Sequence, residues 1–352
     1  TINDGNGGNN YTVTLQNFTG GTISALGVTV AAVSDTKIYD GTTNSVGVPT
    51  ITPALAAGDT TTVRSQAFQN KNVGAGNKVI IPAITINDGN GGNNYTVTLQ
   101  NFTGGTISAL AIDVTAVTDG RGYNGTTNSA VSPTIAPALV SGDTSAFTQH
   151  FDSKNVGGGK TLTATGTVND GNSGNNYAVT FHSVATGTIS ALGITGNFTA
   201  ADKVYDGTTN ATVLTRTLNG VLAADTNNVS LSGGAAGFAT ATVGAGKTVT
   251  LTGATLTGSA ATNYSLTSVG TTTAAITAPA PTMLSPTLVS TAEVLITWTA
   301  VSNGNYRVQY KSVLGTTNWT DLTGDVTATG NTASKNDIRT STNRFYRVQV
   351  LP

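Results

Sequence analysis

No cysteine occurs among the 352 residues, so neither a disulfide framework nor a thiolate metal site can hold this chain together. Charge is equally scarce. Only 9% of residues are charged and the net charge is −1, which leaves no basic field to attract nucleic acid or an anionic membrane. A single glutamate, Glu293, is present, and long helices lose one of their best formers. There are two histidines, His150 and His182, and neither lies in a pattern that pairs a nucleophile with a base. Both read as partly exposed strand residues. No Walker or dinucleotide fingerprint occurs. The Val-Gly-Ala-Gly stretches precede strands, whereas a phosphate cradle needs a following helix N-terminus. The expectation is a protein that is not an enzyme. No apolar run is long enough to cross a bilayer as a helix. The first residue is Thr1 and no signal-peptide pattern follows it, as expected of a processed product or a fragment.

What is abundant is glycine, at 43 residues, together with threonine, and both favour strands and turns. The sequence also repeats. Tyr39-Asp-Gly-Thr-Thr-Asn44 recurs as Tyr123-Asn-Gly-Thr-Thr-Asn128 and as Tyr205-Asp-Gly-Thr-Thr-Asn210, after 84 and then 82 residues. Other landmarks keep the register. Gly58-Asp59 matches Gly142-Asp143 and, more weakly, Ala224-Asp225. Val73-Gly-Ala-Gly76 matches Val156-Gly-Gly-Gly159 and Val243-Gly-Ala-Gly246, while Asn94-Tyr95 matches Asn176-Tyr177 and Asn263-Tyr264. Between landmarks the pattern alternates: Tyr95, Val97 and Leu99 share one face, and Thr96, Thr98 and Gln100 the other. Lys78–Ile81 and Lys160–Thr165 read as partner strands after a glycine-rich turn, and Pro53–Ala57 as one helical turn. Short strands separated by frequent turns predict an all-β protein of tandem immunoglobulin-like β-sandwich domains, strung into an elongated rod.

The expected domains are a partial repeat at 1–26, repeats at 27–110, 111–192 and 193–278, and a different domain at 282–352. Thr106–Thr115 runs from one repeat into the next without a linker, which restricts bending. Proline enters a join only at Ala278-Pro-Ala-Pro281, where more bending is expected. Thr1–Leu26 is identical to Thr85–Leu110 and so predicts two strands, Tyr11–Leu15 and Gly21–Ala25, that lack the rest of their sandwich.

The Tyr-Asp-Gly-Thr-Thr units, with their Gly-Asp, Val-Gly-x-Gly and late Asn-Tyr landmarks, resemble the YDG repeats of large bacterial surface proteins of the filamentous-haemagglutinin-like adhesin type. The resemblance spans Leu26 to about Ile276. It implies an extracellular or cell-surface location, extended stalks and adhesive roles, and it supplies no catalytic site. Two departures stand out: Asn124 replaces the aspartate in the second unit, and the third lacks both the Gly-Asp and the Asp-Gly-Asn loop. They suggest that the motif is chiefly a structural turn. The final part resembles a fibronectin type III domain. There Trp298 would be the buried tryptophan of the second strand, and Tyr306, Val308, Tyr310, Tyr346, Val348 and Val350 would face the core.

Three candidate sites follow. The loops Asp88–Asn94 and Asp170–Asn176 are rich in oxygen donors, and Asp88, Asn90, Asn93, Asp170, Asn172 and Asn175 form a candidate calcium set, set against an ordinary loop of Gly and Asn at positive φ. Tyr39, Tyr123 and Tyr205 form either a row that binds host or matrix glycans or plugs for the sandwich ends. Tyr11, Val13, Leu15 and Ile23 are the expected apolar set of a donor strand, with Tyr346, Val348 and Val350 beside the accepting edge of another copy. Such a head-to-tail contact does not close on itself and builds a filament. The expected function is a structural subunit of an extracellular bacterial filament assembled in this way. The alternative is a stalk fragment of a large surface adhesin. No nucleic-acid or membrane-spanning role is expected.

Overall fold

The computed structural model describes residues 1–340 and 343–351. The chain forms two compact units. The first comprises Thr1–Val117, Val131–Gln149 and Thr163–Val184, and the second comprises Thr118–Ala130, His150–Leu162 and the chain from Ala185 onward.

In the first unit, repeat 1 is a complete pair of sheets. Leu26–Ala31 is the centre of a three-stranded sheet, antiparallel to Thr50–Thr52 and parallel to Tyr95–Gln100. The other sheet runs Thr36–Ile38, Phe102–Ser108, Gly74–Asn87, Thr60–Phe68. Apolar residues at every second position close the space between the sheets. Val28 comes from one sheet, Ile86 from the other, and Tyr95 lies between them, with Ile51, Leu55 and Ile84 at the margin. The same three-stranded order returns in repeat 2, where Leu110–Thr115 lies between Thr134–Ala136 and Tyr177–His182.

The second unit holds the parallel pairing of Gly120–Gly122 with the end of Val184–Ser190. Repeat 3 follows, with Leu192–Ala200 between Val213–Asn219 and Tyr264–Val269. A five-stranded sheet of Lys203–Val204, Thr272–Thr277, Gly244–Thr257, Ser230–Phe238 and Asn210–Ala211 faces it. Phe198 from one sheet and Leu231, Phe238, Val249, Leu251 and Ile276 from the other form its core. The last domain packs Thr287–Leu288, Glu293–Thr299 and Thr332–Ile338 against a sheet centred on Asn305–Lys311. Trp298, Tyr306 and Val308 are fully enclosed there, and Tyr346, Val348 and Val350 pack on that core from the edge. The protein is therefore all-β with sandwich-like domains. Among the described residues, helix is confined to single 3-10 turns at Ala223–Asp225 and Ala261–Asn263.

Two expectations need correction, and the proline-rich join has a buried contact at its start. Pro53–Ala57 is a bend and turn, since Leu55 packs toward the core and the chain must reverse at Gly58, where φ is +98°. Ala278 is buried in the core of the last domain, with Val243 of repeat 3 packed against the same cluster, so the proline-rich join is anchored where it begins. The predicted strands Tyr11–Leu15 and Gly21–Ala25 are absent. The identical segments Tyr95–Gln100 and Phe102–Ser108 are strands because they belong to different sheets, each with its own neighbour. They do not form a hairpin with each other, so the same residues without those neighbours have nothing to pair with.

Candidate functional site

The Tyr-Asp-Gly segment is a rigid turn that aims a tyrosine. Tyr39 follows Thr36–Ile38, and its N–H donates to the carbonyl of Ser108 at 2.8 Å. The Asp40 carboxylate accepts the N–H and the hydroxyl of Thr42 at 2.8 and 2.9 Å and pairs with Lys37 at 2.7 Å. Gly41 sits at φ +76°, in the left-handed region that a side chain resists. Asp206, Thr208 and Lys203 repeat these bonds in the third copy. In the second copy Asn124 offers its amide oxygen to the same two donors of Thr126, at 3.0 and 2.9 Å. The exchange of aspartate for asparagine thus keeps the turn, because the turn needs one acceptor oxygen and no charge.

Tyr39 and Tyr123 are each only 2% exposed, and neither contributes to an open glycan-binding row. Each crosses into the following repeat. The Tyr39 hydroxyl donates to Asp143 at 2.9 Å, and Tyr177 donates to the same carboxylate oxygen at 2.7 Å. The two rings meet edge to face at 5.5 Å, and the Tyr177 hydroxyl accepts the Val140 N–H at 2.9 Å. Lys71 lies 3.8 Å from Asp143 and 5.7 Å above the Tyr39 ring. In the second unit the arrangement recurs. Tyr123 and Tyr264 both donate to one oxygen of Asp225 at 2.7 Å, their rings are 5.5 Å apart, and the Leu222 N–H reaches Tyr264 at 3.3 Å.

An asparagine completes each joint. Asn176, fully buried, accepts the Val73 N–H at 2.9 Å and donates to Asn72 at 3.3 Å. Asn263 accepts the Val156 N–H at 3.0 Å and donates to Asn155 at 3.2 Å. The Val-Gly-x-Gly landmark is therefore the second contact of one repeat with the next.

The electrostatics follow from two phenols sharing one carboxylate out of water. Burial, followed by the hydrogen bond to Asp225, pushes the Tyr123 hydroxyl up to about 12. Tyr177, Tyr39 and Tyr264 are all raised, burial being the largest cause in each. Asp225 is held below the usual carboxylate range, first by the Tyr123 hydroxyl and then by that of Tyr264, against the opposing effect of burial. The joint at Asp225 is thus a pair of protonated donors on an ionised acceptor, the stronger class of hydrogen bond.

The residues of the other two candidate sites lie outside the joint. Both oxygens of Asp88 are turned inward on the loop, accepting the N–H groups of Asn90, Gly92 and Asn94 at 2.7–3.0 Å. Asp170 does the same with Asn172, Gly174 and Asn176 at 2.7–2.9 Å. Asn90 and Asn172 donate to Asn94 and Asn176, and Asn93 and Asn175 to the carbonyls of Asn90 and Asn172. These six residues form loops closed on their own amides, and among the described residues no three His, Asp or Glu side chains come together. In the second of these loops, Asp170 fixes the Asn176 backbone and so aims the joint. Tyr11, Val13, Leu15 and Ile23 are exposed, the last two at 87% and 100%. His182 meets Asp113 at 2.8 Å on the surface.

Sequence reasoning placed Asp143, Asp225, Asn176 and Asn263 in register but gave them no role. The available signal was co-recurrence: the Tyr-Asp-Gly and Val-Gly-x-Gly landmarks of one repeat meet the Asp and Asn-Tyr landmarks of the next, between repeats 1 and 2 and again between repeats 2 and 3. The YDG domain family matches the chain three times, over residues 24–102, 108–187 and 190–269. No curated protein matches the chain. The three matches cover well over half of the chain, which belongs to the YDG-domain family.

Proposed function

We propose that this chain is a structural spacer, a stalk segment of a bacterial cell-surface adhesin in which immunoglobulin-like YDG sandwiches are strung as a semi-rigid array and hold a binding domain away from the cell. One observation carries the reading: the same buried tyrosine–aspartate–tyrosine joint recurs between successive repeats, at Asp143 and again at Asp225. Buried hydrogen-bonded networks fix orientation, and a spacer requires fixed orientation more than it requires a pocket. The last domain is read as fibronectin type III-like. Its strand order places Thr287–Leu288, Glu293–Thr299 and Thr332–Ile338 in one sheet and Thr320–Asp321, Asn305–Lys311 and Phe345–Leu351 in the other, around Trp298.

Solution scattering tests the spacer. The wild type is expected to fit a single extended conformation, and the double variant Asp143→Ala, Asp225→Ala an ensemble of bent ones. Superimposable curves from the two would refute the reading.

A second reading, self-assembly by strand addition, is supported by the exposed Tyr11, Val13, Leu15 and Ile23, and by the edge strand Phe345–Leu351. That strand pairs only with Asn305–Lys311 among the described residues. It predicts filaments visible by electron microscopy that disappear when residues 1–25 are removed. A monomer at every concentration sinks it.

A further inference from the structure

Repeat 1 carries the accepting half of the joint in full. Tyr95 donates to Asp59 at 2.5 Å, and its hydroxyl accepts the Ala56 N–H at 2.8 Å, just as Tyr177 and Tyr264 are held in the later repeats. Asn94 stands where Asn176 and Asn263 stand, and like Asn176 it ends a self-closed loop whose aspartate accepts its N–H. The difference is cover. Asn176 and Asn263 are buried, and so are the Asp225 residue and the Asp143 side chain, each beneath the preceding repeat. Asn94 is exposed and Asp59 half-buried, and among the described residues Asp59 accepts one tyrosine where Asp143 and Asp225 each accept two.

The shape also fits. Gly41 lies so close to Val140 that an added methyl would meet that side chain at 2.5 Å, and one on Gly125 would meet Leu222 less tightly, at 3.3 Å. The residue of repeat 1 in the position of Val140 and Leu222 is Ala56, which leaves more room for an incoming turn.

We propose that the face formed by Ala56, Asp59, Asn94 and Tyr95 is a docking surface for the Tyr-Asp-Gly end of another YDG repeat. The partner is a repeat of the kind of repeats 1 and 2, which follow the core phenylalanine with Lys71-Asn72-Val73 and Lys154-Asn155-Val156. The third repeat of a second copy does not fit. It has Ala241-Thr242-Val243 at this place, so the lysine and the asparagine are both missing, and Val243 is packed on the last domain. In the docked state the incoming tyrosine becomes the second donor on Asp59. The incoming valine N–H is accepted by Asn94, which then loses its exposure.

The inference rests on the spacer reading, and one experiment separates the two. Because Thr1–Leu26 repeats Thr85–Leu110 residue for residue, residues 27–110 can be duplicated without a scar, as residues 1–110 followed by 27–352. A double-mutant cycle is then measured by denaturant unfolding between Tyr39→Phe in the upstream copy and Asp59→Asn in the downstream copy. The same cycle between Tyr39→Phe and Asp143→Asn in the unduplicated chain is the reference. Coupling of at least about threefold in the unfolding equilibrium is expected in both. Coupling in the reference cycle with strict additivity in the duplicated chain would overturn the docking surface alone. Additivity in the reference cycle as well would remove the spacer reading with it. Asp59→Asn in the unduplicated chain is expected to shift the midpoint less than Asp143→Asn, and an equal shift counts against the proposal.

Discussion

Tyr123 and Asp225 lie 102 positions apart in the chain and 2.7 Å apart in the fold, with the phenol of one buried on the carboxylate of the other. Removing only the hydroxyl isolates that bond. Tyr123→Phe keeps the ring against Tyr264 and is expected to cost about 1.5–3 kcal/mol, the range for a hydrogen bond to a charged group. Asp225→Ala leaves two buried hydroxyls without an acceptor and is expected to cost more. Urea unfolding of the two variants ranks them, and the reverse order would contradict the shared-acceptor geometry.

The joint should weaken at both ends of the pH scale. Tyr123 is pushed up to about 12 in the fold, against about 10 in an unfolded chain, so its stabilisation is complete below pH of about 10 and is lost as pH rises through about 12. Asp225 is shifted the other way. Its contribution is present above the ordinary carboxylate range and is lost as pH falls through its lowered value. Melting temperature followed upward from pH 9 should fall less steeply in Tyr123→Phe than in wild type. Parallel alkaline limbs would show that Tyr123 carries none of the dependence.

The asparagine-rich loops are expected to be indifferent to calcium. Both oxygens of Asp170 are engaged by backbone amides, so Asp170→Ala should cost about 3 kcal/mol through the amides left without an acceptor and the misplaced Asn176. Chelator should leave the melting curve of the wild type where it is. A rise in melting temperature on adding calcium would contradict this and support the metal reading of Asp88, Asn90, Asn93, Asp170, Asn172 and Asn175.

Two glycines outside the motifs should be intolerant of any side chain. Gly258 has φ +112°, and a methyl there would sit 2.3 Å from the carbonyl oxygen of Asn228. Gly166, at +136°, would put one 2.3 Å from that of Ala146. Strain and overlap add, and each change to alanine is expected to cost about 2 kcal/mol or more. Gly158→Ala, with open space around it and no positive φ, is the control that should be near neutral.

Much of this was legible in the sequence, for reasons that can be named. The alternation of Tyr95, Val97 and Leu99 against threonine marks a strand, although only Tyr95 of that face is buried while Val97 and Leu99 stay exposed, and the Gly and Asn of the turns mark where the chain reverses. The recurrence of Tyr-Asp-Gly sets the repeat length. Trp298, Tyr306 and Val308 reach the core because large apolar side chains at period two have nowhere else to go.

The joint was not legible, because it depends on which residues distant in sequence become neighbours. Period and register say that Tyr39, Asp143 and Tyr177 recur together, but only the packing of one repeat on the next makes Asp143 their common acceptor. The segment at residues 1–25 makes the same point from the opposite side. Its residues are identical to those that form Tyr95–Gln100 and Phe102–Ser108, yet it is not a strand, because strand is a property of pairing and its partners lie in two different sheets. Sequence alone determined the period and the turn chemistry, both of which are local. Tertiary structure alone decided what the recurring tyrosine touches, since a hydrogen bond buried between two repeats belongs to neither of them.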